Sequence, residues 1–176
     1  MMVPASAAEP PTAAQPSVVA EQLIAELTRR RMTIAVAESL TGGLVAAELV
    51  SVPGASAVLR GGVVAYATDL KSSLLGVDVE LLARTGPIDP EVARQMAEGV
   101  RWRFGRDGVP ADIGLATTGV AGPDPQDGHV PGEVWIGLAI GDSVEAHGLT
   151  FGGDRAAIRS ATVAASLQRV LTRLSE

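Results

Sequence analysis

Between Thr33 and Val50 the chain passes from a short apolar run, Thr33-Ile34-Ala35-Val36-Ala37, through Glu38-Ser39-Leu40-Thr41-Gly42-Gly43, into the helix-like segment Leu44–Val50. The apolar run is too short for a buried helix and partly β-branched, which suits a strand covered on both faces. A strand that runs straight into a tight turn and a helix is the first half of a parallel crossover unit, and it confines the chain to the α/β class.

The rest of the sequence keeps that alternation. From Ser17 a helix is expected with Val19, Leu23, Ile24 and Leu27 on one face, ending in Arg29-Arg30-Arg31, where cations suit the helix C-terminus. A Pro53-Gly54 turn precedes a second strand, Arg60 to Ala67, and two short helices are expected over Asp69–Leu75 and Asp78–Arg84. Asp89-Pro90-Glu91 starts a further helix, because Asp caps free amides, Pro tolerates the first helical position and Glu favours the dipole. Val92, Met96, Val100 and Phe104 line its inner face. A third strand, Asp112 to Thr117, opens into Thr118-Gly119-Val120-Ala121-Gly122-Pro123 and a polar loop reaching about Gly132. Glu133–Ala139 and Ser143–Thr150 read as a hairpin across Ile140-Gly141-Asp142, before a last helix from Asp154 to Leu174 with Ile158, Ala161, Ala165, Val170, Leu171 and Leu174 inward. The prediction is a three-layer α/β/α sandwich with a mixed, mostly parallel sheet.

Residues 1–16 hold four of the 11 prolines and read as a disordered tail, leaving one domain over 17–176. Neither a secretory signal nor a transmembrane run is present in the sequence, so a cytoplasmic location is expected. The net charge of −6 argues against nucleic acid and an anionic membrane as partners. The absence of cysteine removes thiolate chemistry, and two histidines, His129 and His147, are too few for a multi-histidine metal site. A 47% apolar composition leaves room for a homo-oligomer.

Three places carry candidate chemistry. Ser39 lies where a buried strand meets a helix start, so nearby amides can hold an oxyanion or a phosphate; alternatively Ser39 or Thr41 simply caps the helix while Gly42 and Gly43 allow tight packing. Lys71 is the only lysine and Tyr66 the only tyrosine among thirteen arginines. An amine can lose its proton on burial, which Arg effectively cannot, so Lys71 is a candidate base or else an ordinary surface residue, and Tyr66 a core ring. The Thr118–Pro123 loop would share a sheet edge with Ser39 if the two strands are parallel, the edge where open α/β sheets bind ligands. Glu38 either orients a cation or complements the helix dipole, and Arg155 and Arg159, one turn apart, either clamp a phosphate or form a solvated face. His129 reads as solvent-exposed, and His147 has no recognisable partner.

Taken in order, Ala37–Gly43 (A-E-S-L-T-G-G), Val52–Ser56 (V-P-G-A-S), Gly61–Tyr66 (G-G-V-V-A-Y) with Lys71, Thr118–Pro123 (T-G-V-A-G-P) and Gly132–Ala139 (G-E-V-W-I-G-L-A) resemble the CinA C-terminal domain family, the competence/damage-inducible family that includes nicotinamide-nucleotide amidohydrolase. The likeness runs from about Ser17 to Leu174. It implies a three-layer α/β/α domain that hydrolyses the carboxamide of nicotinamide mononucleotide to nicotinate mononucleotide and ammonia, with Ser39, Tyr66 and Lys71 as the catalytic set. In that scheme Ser39 attacks, Lys71 removes its proton directly or through Tyr66, and amides around Leu40 to Gly43 hold the oxyanion. Glu38, Thr41, Gly42, Gly43, Thr68, Thr118, Gly119, Gly122 and Arg155 are the expected substrate-binding residues, with no metal and no cofactor. Departures from the family pattern are Leu40 in place of Cys, Thr68 in place of Asn, and His129 in place of Lys. Many members carry an N-terminal molybdopterin-binding-like domain with nucleotide pyrophosphatase activity; here only the tail precedes, and that activity is not expected. The competing readings are a nucleotide-binding regulatory module with little turnover and an amidase for another small amide.

Overall fold

The computed structural model of the chain describes residues 17–176; the tail assigned to residues 1–16 lies outside the described residues. Helix α1 (Val18–Arg30) leads into strand β1 (Ile34–Glu38), and helix α2 (Leu44–Val50) and a short 3-10 turn (Ala55–Ala57) connect it to β2 (Leu59–Val64). Helices α3 (Thr68–Leu75), α4 (Val79–Thr85) and α5 (Pro90–Arg103) precede β3 (Ile113–Gly119), β4 (Glu133–Ile140) and β5 (Ser143–Thr150), and α6 (Arg155–Ser175) closes the chain.

The five strands form one mixed sheet in the order β2-β1-β3-β4-β5. Its core, β2-β1-β3, is parallel, while β4 and β5 extend it antiparallel as the expected hairpin. Every residue of β1 is buried, in keeping with a strand covered on both faces. On one face α1, α2 and α6 bury Leu23, Leu27, Leu49, Ile158, Leu167 and Val170 against Ile34, Val36 and Ile136. On the other, α3, α4 and α5 pack Leu75, Leu81, Val92, Met96 and Val100 against Ala35, Ala37 and Ala116. The three layers agree with the expectation from the sequence. Among the described residues no helix is long and apolar enough to cross a membrane.

Several local expectations change. Thr33 is not part of β1, because its amide and hydroxyl both donate to the Asp112 carboxylate at 2.7 Å. The second strand ends at Val64, and Ala65 to Ala67 turn the chain toward α3. In α6 the buried row includes Thr162, Val163, Ser166 and Leu167, whereas Ala161, Ala165 and Leu171 are half-buried. The two buried hydroxyls are satisfied within the helix, Thr162 donating to the Ile158 carbonyl and Ser166 to that of Thr162, both at 2.7 Å. His147 does have partners: Arg169 donates to its Nε2 at 2.8 Å and Glu145 lies 3.1 Å away.

Candidate active site

The C-terminal ends of β2, β1 and β3 lie side by side, with Glu38 in register with Val64 on one flank and Thr117 on the other. That places the residues following each strand around one opening, as the parallel-edge argument requires. Ser39 extends β1 by one step, its amide donating to the Thr117 carbonyl at 3.0 Å. Beyond it the chain makes a tight turn through Gly42 and Gly43, whose φ values of +59° and +96° lie in the left-handed region that disfavours other residues.

Lys71 comes to the same point from α3 on the opposite face of the sheet. Its side chain is fully buried, 0% exposed. Nζ lies 3.1 Å from Ser39 Oγ, 2.8 Å from the Ala65 carbonyl oxygen and 3.5 Å from that of Tyr66. No carboxylate makes an ion pair with it among the described residues. Burial therefore dominates its protonation and pushes the amine down from 10.5 to about 8, with the charge of Asp69 opposing the shift. An amine in that range is partly neutral near neutral pH and can accept a proton from the hydroxyl it touches.

The cleft over this pair encloses about 110 Å³ and is lined by Ser39, Tyr66, Lys71, Thr118, Gly119, Gly122 and Arg155, all expected from the sequence. It is also lined by Leu40, Val120 and Ala121, from the turn and the loop that the sequence marks, and by Pro87, Ile88, Asp124 and Gln126, which sequence reasoning did not single out. Pro87 and Ile88 enter because the Thr118 hydroxyl donates to the Pro87 carbonyl at 2.6 Å, tying the segment before α5 to the end of β3. Their only signal in the sequence was a position just ahead of the Asp89 cap. Asp124 and Gln126 come from the polar loop after Pro123, whose extent was legible but whose direction was not.

Tyr66 is neither a core ring nor a bridge between Lys71 and Ser39. It is 57% exposed at the mouth of the cleft, and its hydroxyl accepts from Arg155 at 3.0 Å. The same guanidinium donates to the Gly122 carbonyl at 2.9 Å and makes no ion pair with a carboxylate among the described residues, so its charge lies at the cleft without a direct counter-ion. Gly119 is required where it stands, since a Cβ there would sit 2.5 Å from the Glu133 carbonyl oxygen.

Five expected binding residues do not line this cleft. Glu38 is buried and spends its carboxylate on the amides of Gly43, Val45 and Ala46 at 2.9, 3.1 and 2.8 Å, capping α2 from inside. Thr41 is buried and shares a 2.8 Å hydrogen bond with the Thr117 hydroxyl. Gly42 and Gly43 shape the turn, and Thr68 is exposed at the start of α3, beside a separate depression with Arg84, Gly86 and Asp127. The expected oxyanion amides narrow accordingly. Gly42 donates to the Ser39 carbonyl at 3.1 Å and Gly43 to Glu38, so only the Leu40 and Thr41 amides have no acceptor among the described residues. His129 pairs with Glu133 at 2.8 Å, outside the cleft lining. Among the described residues no three His, Asp or Glu side chains converge as a metal-ligand set.

Comparison with known proteins agrees with the fold and its motifs. The family model described as the CinA C-terminal domain matches residues 17–174, and the chain belongs to that family. A CinA-like protein of Frankia casuarinae is 50% identical over 144 residues, which are 82% of this chain and 32% of that protein. The chain spans about a third of the length of the curated relatives it matches. Among solved structures, the competence/damage inducible protein CihA from Agrobacterium tumefaciens superposes with a TM-score of 0.85 at 32% identity, covering 94% of this chain and all of that one. A competence or damage-inducible protein from Enterobacter asburiae gives 0.83 at 28% identity over 92% of this chain and 99% of that one.

Proposed function

Proceeding from membership of the CinA C-terminal domain family, we propose that this domain hydrolyses the carboxamide of nicotinamide mononucleotide to nicotinate mononucleotide and ammonia. The observation that carries the reading is the buried Lys71 amine, lowered to about 8 and placed 3.1 Å from Ser39 Oγ without a carboxylate to hold its proton.

In the proposed sequence Ser39 Oγ bonds to the carboxamide carbon while its proton passes to Lys71 Nζ. The carbonyl oxygen becomes an oxyanion held by the Leu40 and Thr41 amides, a role worth on the order of 10²–10³ in rate per donor. Collapse of this intermediate breaks the C–N bond, and the proton on Lys71 goes to the departing nitrogen, releasing ammonia. Water then attacks the ester, Lys71 takes one of its protons and returns it to Ser39 Oγ, and nicotinate mononucleotide leaves as the carboxylate, its acid proton passing to solvent. Tyr66 is left out of this relay because Lys71 Nζ reaches Ser39 Oγ directly, whereas the Tyr66 hydroxyl accepts from Arg155 and makes no hydrogen bond to either residue. Arg155 is the counter-charge for the substrate phosphate, and Thr118, Gly119 and Gly122 form the wall along which the nucleotide lies. The scheme draws on no metal and no cofactor.

The test is ammonia release from nicotinamide mononucleotide by the purified protein, beside Ser39→Ala and with a chelator present. Release that survives the chelator and vanishes in the variant supports the reading. Binding of the nucleotide without release refutes it in favour of a regulatory module, and release only from other small amides refutes the substrate assignment.

A further inference from the structure

Arg159 stands one turn after Arg155 on α6, yet its guanidinium does not reach the cleft. Nε donates to the Leu40 carbonyl at 3.0 Å and one terminal nitrogen to that of Thr41 at 2.8 Å. It forms no ion pair with a carboxylate among the described residues. Both acceptors belong to the turn that follows Ser39. We infer that Arg159 is a positioning residue, which fixes the peptide planes of that turn so that the Leu40 and Thr41 amides are presented together to a developing oxyanion.

The argument follows the planarity of each peptide. In a trans peptide the C=O and the N–H of the next residue point in opposite directions, so anchoring one aims the other. The Leu40 carbonyl, held by Nε, aims the Thr41 amide away from α6. The Thr41 carbonyl, held by the second nitrogen, fixes the Gly42 amide, which closes the turn on the Ser39 carbonyl at 3.1 Å. That carbonyl shares its plane with the Leu40 amide. Two donations from one guanidinium therefore orient both free amides, and a cationic donor on a peptide oxygen also strengthens the N–H across the same peptide. Glu38 holds the far side through the Gly43, Val45 and Ala46 amides, leaving the turn little freedom to rotate. A Cβ on Gly42 would lie 3.3 Å from the Arg159 guanidinium, which shows how closely the two pack.

This inference rests on the serine-nucleophile reading but not on the identity of the amide. It is tested with diisopropyl fluorophosphate, whose reaction forms an Oγ–P bond, expels fluoride and sends the hydroxyl proton to Lys71, with a phosphoryl oxygen needing the same two amides. The labelling rate at Ser39, read by intact mass, is compared for the wild type, Arg159→Met and Arg159→Lys, alongside kcat and KM for nicotinamide mononucleotide. Arg159→Met is expected to label about 10–100-fold more slowly and to lose kcat by a similar factor with KM within about threefold, because only donors to the oxyanion are disturbed. Arg159→Lys, which keeps one donation, should fall between the two. If Arg159→Met does not fold, Arg159→Gln carries the comparison. Equal labelling rates in wild type and variant overturn the inference, as does a wild type that is not labelled. A rise in KM with kcat unchanged overturns it too, since that outcome makes Arg159 a substrate ligand. A wild type that labels but releases no ammonia refutes the substrate assignment and leaves the role of Arg159 standing.

Discussion

Replacing Lys71 by Met should stabilise the protein near neutral pH and destabilise it in alkali. In the folded chain the amine titrates near 8, and in the unfolded chain at its ordinary 10.5. Below about 8 both states are protonated, and the folded state carries the full penalty of a buried ammonium. The gap between the two values corresponds to about 3 kcal/mol. Between about 8 and 10.5 the unfolded state binds more protons, so wild-type stability rises with pH across that window, relative to a variant without the amine. Met fills a similar volume but forfeits the bonds to the Ala65 carbonyl and Ser39 Oγ, roughly 1 kcal/mol each. The variant is then about 1 kcal/mol more stable than wild type near pH 7 and about 2 kcal/mol less stable near pH 11, with a crossing inside the window. Urea denaturation of both proteins at several pH values reads this difference, and groups common to both cancel. Because Lys71 is the only lysine, the same titration is visible as a single ε-carbon resonance in lysine-labelled protein. A stability difference that stays constant from about pH 7 to 11 refutes the reasoning, since it would mean that the amine titrates alike in both states.

Tyr66→Phe removes the hydroxyl that accepts from Arg155 but leaves the backbone carbonyl near Lys71, so kcat should change by less than about tenfold. A loss of about 10³ or more would put the phenol in the proton path. Arg155→Ala should raise KM for nicotinamide mononucleotide by about tenfold or more and leave the corresponding riboside unaffected, because a charge-assisted contact to phosphate is worth roughly 1.5–3 kcal/mol. Equal effects on both substrates would place the phosphate elsewhere. Glu38→Gln should lower stability by about 1–2 kcal/mol in thermal melts, since Glu38 accepts through both oxygens from the amides of Gly43, Val45 and Ala46 at the start of α2, whereas Gln keeps one oxygen and turns an NH2 donor toward the rest. An unchanged melting temperature would show that the cap carries little of the helix.

The layered fold was legible because its signals are local. A buried apolar run followed by a glycine turn reads as a βα unit wherever it occurs, and Asp89-Pro90 marks a helix start without help from the rest of the chain. The Asp89 carboxylate does cap α5, accepting from the Glu91 amide at 2.7 Å. Less legible were polar residues whose fate depends on distant partners. Thr162 and Ser166 are buried because their hydroxyls bond within α6, which apolar periodicity does not register. His147 found Arg169 across the gap between β5 and α6.

At the site, residue identity told more than spacing. Lys71 stood out as a lone lysine, but its approach to Ser39 depends on β2 lying beside β1, a long-range pairing that no local pattern states. Glu38 beside a helix start fitted both a cation and the dipole, and the three amides it accepts decide for the helix. Arg155 and Arg159 are equivalent by periodicity; only the position of the turn after β1 separates the one facing the cleft from the one holding backbone.

The central claim is that Lys71 serves as the base for a serine nucleophile acting on a carboxamide, and the pH dependence of kcat/KM for ammonia release from nicotinamide mononucleotide tests it most directly. The rate should climb about tenfold per pH unit on the acid side and level off above about 8, where the Lys71 amine is neutral. A rate that is flat across that range, or no release at any pH, contradicts the account.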